Sequence, residues 1–262
     1  MQLYLLKFNL SMLLNVLQKG VVCVWSVNNR GILTPMRQYR KKGEITALVF
    51  YMAIPKLLDV KLKGKIDPKL TNHSPSFFFG TERGTIAYAD DLGNCTDVQQ
   101  LQSSIDVLMF LEEKSKLVVI TRSLLLTQYN VGDDGVIERS AHFKISVPSD
   151  IADCGIHSAV WASPGVLAIA TEEKLVRFLD IAAEENFNIS LNSALGKGIE
   201  KSDRISCIAF SPHDRYLAVG TQMNIVAIFK FNGPLRDFST KVIPPSSSSD
   251  WQVGFAIYFI SV

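Results

Sequence analysis

"LAVGTQMNIVAIFK" (217–230) decides the fold, because the chain states nearly the same phrase three more times. "LAIATEEKLVRFLD" (167–180), "LVVITRSLLLTQYN" (117–130) and "FFFGTERGTIAYAD" (77–90) align with it almost without gaps. Each ends an apolar run on a threonine (Thr81, Thr121, Thr171, Thr221) and starts another two to four residues later. Runs this short and rich in Val, Ile, Phe and Tyr read as strands rather than helices. The polar breaks "TERG", "TRS", "TEEK" and "TQMN" read as tight hairpin connections.

The threonines lie 40, 50 and 50 residues apart. A period of roughly 40–50 residues points to stacked supersecondary units, of which a four-stranded propeller blade is one. The flanks fit. "RISCIAFSPHDRYLAVGT" supplies a strand (205–210), a Ser-Pro-His-Asp turn and a second strand; "EITALVFY" (44–51), "SIDVLMFLEEKSKLVVIT" (104–121) and "HSAVWAS" (157–163) supply the corresponding inner strands. After each phrase comes a polar stretch suited to an outer strand: "CTDVQQLQS", "VIERSAHFKI", "NFNISLNS". Inner runs apolar on both faces belong between neighbouring sheets. A fifth copy, "GVVCVWSVNNRG" (20–31), carries Trp25 but shows no first and second strands upstream, giving about four and a half units. Only 104–116 tolerates a helical reading. The expectation is an all-β chain, an incomplete propeller of about four to five blades of four-stranded antiparallel sheet; an all-β sandwich with coincidental turn spacing is the alternative.

At 262 residues and 47% hydrophobic, the chain is long and apolar enough for a sizeable core. A formal net charge of +2 is too near balance for a nucleic-acid partner, which calls for a strongly basic face. Cys23, Cys95, Cys154 and Cys207 form no CxxC pair, so they read as small hydrophobes in a reducing compartment, with no zinc site. Asn9, Asn72, Asn94 and Asn188 start Asn-x-Ser/Thr triplets, which matter only for a secreted chain. The apolar N-terminus is interrupted by Lys7 and Asn9, and the apolar C-terminal run is twelve residues; neither fits a membrane span.

Residues 1–19 are left unassigned, 20–240 are assigned to the partial propeller, and 241–262 to a linker ("IPPSSSSDW") with an apolar tail. The lysine-rich, proline-containing stretch 55–76 reads as a surface loop or a partner-binding loop. "GKGIEKSD" (196–203) is a shorter linker, and "RQYRKK" (37–42) a basic outer-strand edge. Unfinished arrays expose apolar faces and strand edges, so the isolated chain is expected to be poorly soluble or to need chaperones; a monodisperse, cooperatively unfolding preparation would contradict that.

"FSPHDRYLAVGTQMNIVAIFK" resembles a WD-repeat blade through its Ser-Pro turn, its Leu-Ala-x-Gly-Thr strand end and the aromatic closing the third strand, although no unit carries both Trp and Asp of the naming pair. "GVVCVWSVNNRG", "GTERGTIAYADDLGN", "KLVVITRSLLLTQYNVGDDG" and "EEKLVRFLDIAAEENFNISL", in that order, resemble the first propeller of the intraflagellar transport protein 140 family over about residues 20–232. The resemblance implies a non-catalytic WD-type scaffold of the retrograde intraflagellar transport complex A. It implies partners among the other complex A subunits and ciliary cargo adaptors, and a place in the cytoplasm and cilium, at axoneme and basal body. The family has further blades, a second propeller and a helical-repeat tail, so the unmatched ends are expected to mark a truncated or mispredicted product, which transcript sequencing checks.

Catalytic motifs are absent: no Gly-x-Ser-x-Gly elbow, P-loop, HExxH or GxGxxG. His73, His142 and His213 fall in loop, turn or outer-strand contexts. His157 borders an inner strand beside Asp153 and Ser158, but neighbours along a strand end do not make a triad. Asp133-Asp134-Gly135 reads as a hairpin turn rather than a calcium loop. No catalytic, cofactor-binding or metal residue is assigned, and no nucleic-acid partner or stable membrane insertion is expected. A propeller hydrolase or glycan-binding protein is the alternative function.

Overall fold

The computed structural model describes residues 6–8, 12–17, 20–28, 30–50, 76–149, 154–181, 183, 185–192, 203–211, 213–233, 235 and 237–243. The fold is all-β, an incomplete WD-type propeller, with five four-stranded antiparallel sheets among the described residues. They fall into two compact units, residues 1–146 and 147–262.

The first unit holds three sheets. The first sheet is β1 (Leu6–Phe8), β2 (Met12–Leu17), β3 (Val21–Val27) and β4 (Leu33–Arg40). The second is β5 (Ile45–Phe50), β6 (Phe77–Thr81), β7 (Thr85–Ala89) and β8 (Cys95–Gln100). The third is β9 (Ile105–Leu111), β10 (Lys116–Thr121), β11 (Leu125–Val131) and β12 (Ile137–Lys144). In the second unit, the fourth sheet is β13 (Ser158–Ser163), β14 (Val166–Ala170), β15 (Leu175–Asp180) and β16 (Asn186–Ser190). The fifth is β17 (Ile205–Ser211), β18 (Tyr216–Thr221), β19 (Val226–Phe231) and β20 (Phe238–Ile243). The stretch 104–116 forms strand β9 and one 3-10 turn, Glu112–Lys114, not a helix.

One expectation needs correction. The Trp25 unit does have its first and second strands: β2 pairs with β3 from Met12↔Ser26 to Leu17↔Val21, and β1 pairs with β2. Without them the edge of β3 would present unpaired backbone groups, which sheets avoid. At the other end, β20 pairs with β19 from Phe231↔Phe238 to Val226↔Ile243. β1, β2 and β20 are therefore each part of a four-stranded sheet. The lysine-rich stretch up to Pro75, residues 196–202 of the linker and everything after Ile243 lie outside the described residues.

The threonine phrase has a physical cause. All four threonines are buried. Thr81, Thr121 and Thr221 each accept, at Oγ1, the backbone N–H four residues on (Thr85, Leu125 and Ile225) at 3.1–3.3 Å. The carbonyl of each also takes the N–H three residues on, from Gly84, Leu124 and Asn224. Those three residues lie at φ +81°, +61° and +63°, the left-handed bend that closes the hairpin. The residue after each threonine donates its N–H to the residue just before the sheet's first strand: Glu82 to Glu44, Arg122 to Ser104, Gln222 to Arg204. Thr171 differs. Its hydroxyl faces Glu173, and Arg177 grips Glu173 through Nε (2.7 Å) and Nη2 (2.8 Å), so this hairpin closes ionically.

Packing explains the apolar runs. In β6 every residue is buried, because successive side chains alternate faces and both faces are covered. Phe77 and Phe79 pack toward the first sheet with Val22, Val24 and Tyr39, whereas Phe78 packs toward the third with Phe110, Leu117 and Tyr129. In the second unit, Phe178, Phe210, Phe229 and Phe231 form a common core between the fourth and fifth sheets, with Phe187 stacked on Phe178 at 4.5 Å.

Candidate interaction surface

The residues that could have carried chemistry are held in structural pairings. His157 Nε2 lies 2.7 Å from Glu172 Oε1, and Arg204 Nε lies 3.2 Å from Glu172 Oε2, so one carboxylate joins the starts of β13 and β17 to the fourth-sheet hairpin. The Ser158 hydroxyl is engaged with the backbone of Ile208, accepting its N–H at 3.2 Å, rather than with His157. Asp153 and His73 lie outside the described residues. His142 is exposed on β12, and His213 Nδ1 contacts Asp214 Oδ1 at 3.0 Å in the Ser-Pro turn. Asp134 Oδ1 accepts the Val136 N–H inside the β11–β12 turn, where Gly135 takes φ +79°.

All four cysteines are free. Burial pushes the Cys23 thiol up, against the pull of Arg40; burial likewise pushes the Cys95 thiol up, against Lys41. A raised thiol is a poor nucleophile near neutral pH. Among the described residues no group of three or more His, Cys, Asp or Glu side chains could hold a metal ion. No helix among them is long and apolar enough to cross a membrane.

A cluster of cations lies in the first unit. An open depression of about 690 Å³ is lined by Arg40, Lys41, Lys42, Arg83, Thr85, Asp97 and Gln100. Arg40 closes β4, and Lys41 and Lys42 follow in the connection to β5; Arg83 sits in the β6–β7 hairpin, and Asp97 and Gln100 on β8. The Lys41 backbone is pinned by its N–H to the Gly20 carbonyl at 2.8 Å. Lys41 Nζ meets Asp97 Oδ1 at 2.5 Å. Gln100 donates from Nε2 to the carbonyls of Arg83 (2.7 Å) and Leu101 (3.0 Å) and accepts from the Thr85 hydroxyl (2.9 Å), which holds the Arg83 backbone in place. Arg40, Lys42 and Arg83 are exposed. Four cations against the single Asp97 carboxylate leave the lining at +3.

"RQYRKK" does end an exposed outer strand, as its composition suggests. The sequence could not show that Arg83, from a different sheet, joins Arg40 and Lys42. Its only local signal is the lone arginine in "TERG".

The comparisons with known proteins bear on what carries this surface. The family described as "IFT140 first beta-propeller" matches residues 58–253, three quarters of the chain. The chain belongs to this family. The four-stranded sheets described above are blades of that propeller. Among solved structures, the chain is similar to one titled "Crystal Structure of Mitotic Checkpoint Complex", with TM-score 0.63 and 12% identity, over 91% of this chain and 64% of that one. It is also similar to the computationally designed Ika8 protein, with TM-score 0.57 and 15% identity, over 86% of this chain and 57% of that one. At such identities the likeness shows the fold alone. The chain spans less than two thirds of the length of either.

Proposed function

We propose that this chain is a non-catalytic protein-interaction scaffold of the retrograde intraflagellar transport complex A, supporting cilium assembly and the trafficking of ciliary cargo. The match to the IFT140 first-propeller family over residues 58–253 carries the reading. Its partners are the other complex A subunits and ciliary cargo adaptors, and its place is the cytoplasm and the cilium, at basal body and axoneme. The mechanism is docking. Hairpins locked by buried threonine hydroxyls, and sheets packed face to face, hold the loops rigid, so a partner binds without first ordering them. Rigid blades of this kind leave their short, protected edges and connecting loops for recognition. The docking body so proposed is residues 20–240 together with strands β1 and β2, which pair onto β3.

The test is co-precipitation of the tagged 262-residue chain from ciliated cells. Recovery of complex A subunits is expected. Recovery of none of them, together with a hydrolase activity in the purified chain, would favour the propeller-hydrolase or glycan-binding reading instead.

A further inference from the structure

We infer that the depression lined by Arg40, Lys41, Lys42 and Arg83 is a docking site for an extended acidic peptide segment of a partner protein. The inference rests on the scaffold reading and names one surface and one ligand chemistry for it.

Three observations carry it. First, the cations converge from different parts of the chain: Arg40, Lys41 and Lys42 from the end of the first sheet and its connection, Arg83 from the second-sheet hairpin. Chance clustering along one segment does not explain that meeting. Second, the charges are unequal in their commitments. Lys41 is largely buried, with its side chain 17% exposed, and is neutralised by Asp97. Arg40, Lys42 and Arg83 are exposed and make no ion pair with a described residue. Among the described acids nearby, the exposed Glu82 sets its side chain beside Gly43, and the exposed Glu44 follows Gly43 in the chain; neither lines the depression. Third, the lining has a neutral polar floor, Thr85 and Gln100, whose side chains hydrogen-bond to each other. With the Gln100 amide hydrogens and the Thr85 hydroxyl hydrogen already donated, the floor offers acceptor oxygens, which suit the N–H groups of a peptide backbone.

The shape selects the ligand. A volume of about 690 Å³ is far larger than one phosphate group, and the cations are not braced into a single tight cradle. An extended chain places same-side carboxylates roughly 7 Å apart, two residues at about 3.3–3.4 Å each, which distributes negative charge over separated cations. A membrane face is flat and calls for apolar insertion, whereas this site is concave and no purely apolar residue lines it. Asp97 within the lining also disfavours a concentrated polyanion.

The experiment uses the full chain and a fluorescein-labelled glutamate-rich dodecapeptide, read by anisotropy. Binding is expected at low salt, with affinity falling at least about tenfold between 50 and 300 mM salt, because exposed charges are screened. The triple variant R40E/K42E/R83E is expected to bind at least about tenfold more weakly. Lys144→Glu, an exposed charge on β12, is expected to bind as wild type. Urea-unfolding midpoints of the variants report whether they fold, and the salt titration of the wild-type chain needs no variant. The inference is overturned if a peptide with glutamine at every glutamate binds equally well. It is also overturned if the folded triple variant binds as wild type, or if inorganic phosphate or phosphoinositide vesicles compete better than unlabelled peptide. Recovery of complex A subunits with no peptide binding would leave the scaffold reading standing and reject this site. Peptide binding with no transport subunit recovered would do the reverse.

Discussion

Gly80 on β6 and Ile105 on β9 approach so closely that a Cβ on Gly80 would lie 2.6 Å from Ile105 Cγ2 and 2.9 Å from its Cβ. The glycine is there because the neighbouring sheet's first buried isoleucine occupies the space a side chain would need, not because the backbone bends. Gly80→Ala is expected to destabilise the chain by about 1–3 kcal/mol through overpacking. Urea unfolding measures it. Removing that Cγ2 methyl, in Gly80→Ala/Ile105→Ala, should cost less than the two single changes summed, and a strictly additive double variant would show that the two residues do not compete for one space.

The threonine clamp makes a separable prediction. Thr221→Val keeps the shape and the β-branch but removes the oxygen that accepts the Ile225 N–H at 3.2 Å. The expected cost is about 1–3 kcal/mol, that of a buried donor left unsatisfied. Thr221→Ser should retain the clamp and lose less. Equal denaturation midpoints for the two variants would rule out the hydroxyl as the feature that matters.

Gly135 carries two constraints at once. Its φ of +79° favours glycine, and a Cβ there would meet the Tyr88 ring at 2.3–2.5 Å, which lies on β7 of the preceding sheet. Gly135→Ala is therefore expected to cost more than an alanine at Gly31, which shares the turn position at φ +76° but has nothing within 4 Å of its Cβ. Thermal unfolding of the two variants compares strain alone with strain plus contact. The reverse order of Tm would contradict the packing described for β7 and the third sheet.

Asp90 supplies a pH dependence. Burial raises its carboxyl, but the Asn94 side chain and the N–H groups of Asn94, Gly93 and Leu92 outweigh that and hold it below the usual carboxylate range. The unfolded chain thus binds this proton more tightly. The stabilisation is complete above the unfolded value, about 3.9, and is lost as pH falls through the lower folded value. Asp90→Asn keeps a carbonyl oxygen able to accept from the turn but cannot titrate. The stability gap between wild type and Asp90→Asn should narrow as acid is added; a gap constant from neutral pH to about pH 2 would show that Asp90 does not contribute to the acid limb.

Much of the fold was legible because it repeats. Four copies of one phrase fixed the hairpins, the short inner strands and the polar outer strands, and β17, β18 and β19 lie where the alternation put them. The ends were not legible. β1 and β2 carry no threonine-ended phrase, and β20 follows a turn with proline and charge, so nothing local distinguished them from unstructured flanks. Only the open backbone edges of β3 and β19 required them. Half of the candidate surface was visible as "RQYRKK", and the other half was not, since Arg83 follows Arg40 by 43 residues and reaches it only through the pairing of whole sheets.

Interactions spanning four residues or fewer wrote the local vocabulary into the chain: strand, turn, strand, and a buried threonine whose hydroxyl clamps three of the four repeated hairpins. The sequence also carried the family, through the order of its degenerate phrases. The tertiary structure alone decided why Gly80 must be small, which face each phenylalanine of β6 covers, and which cations share a depression. Those depend on which sheet lies against which, and contacts between residues tens of positions apart are fixed by close packing rather than by any propensity written along the chain.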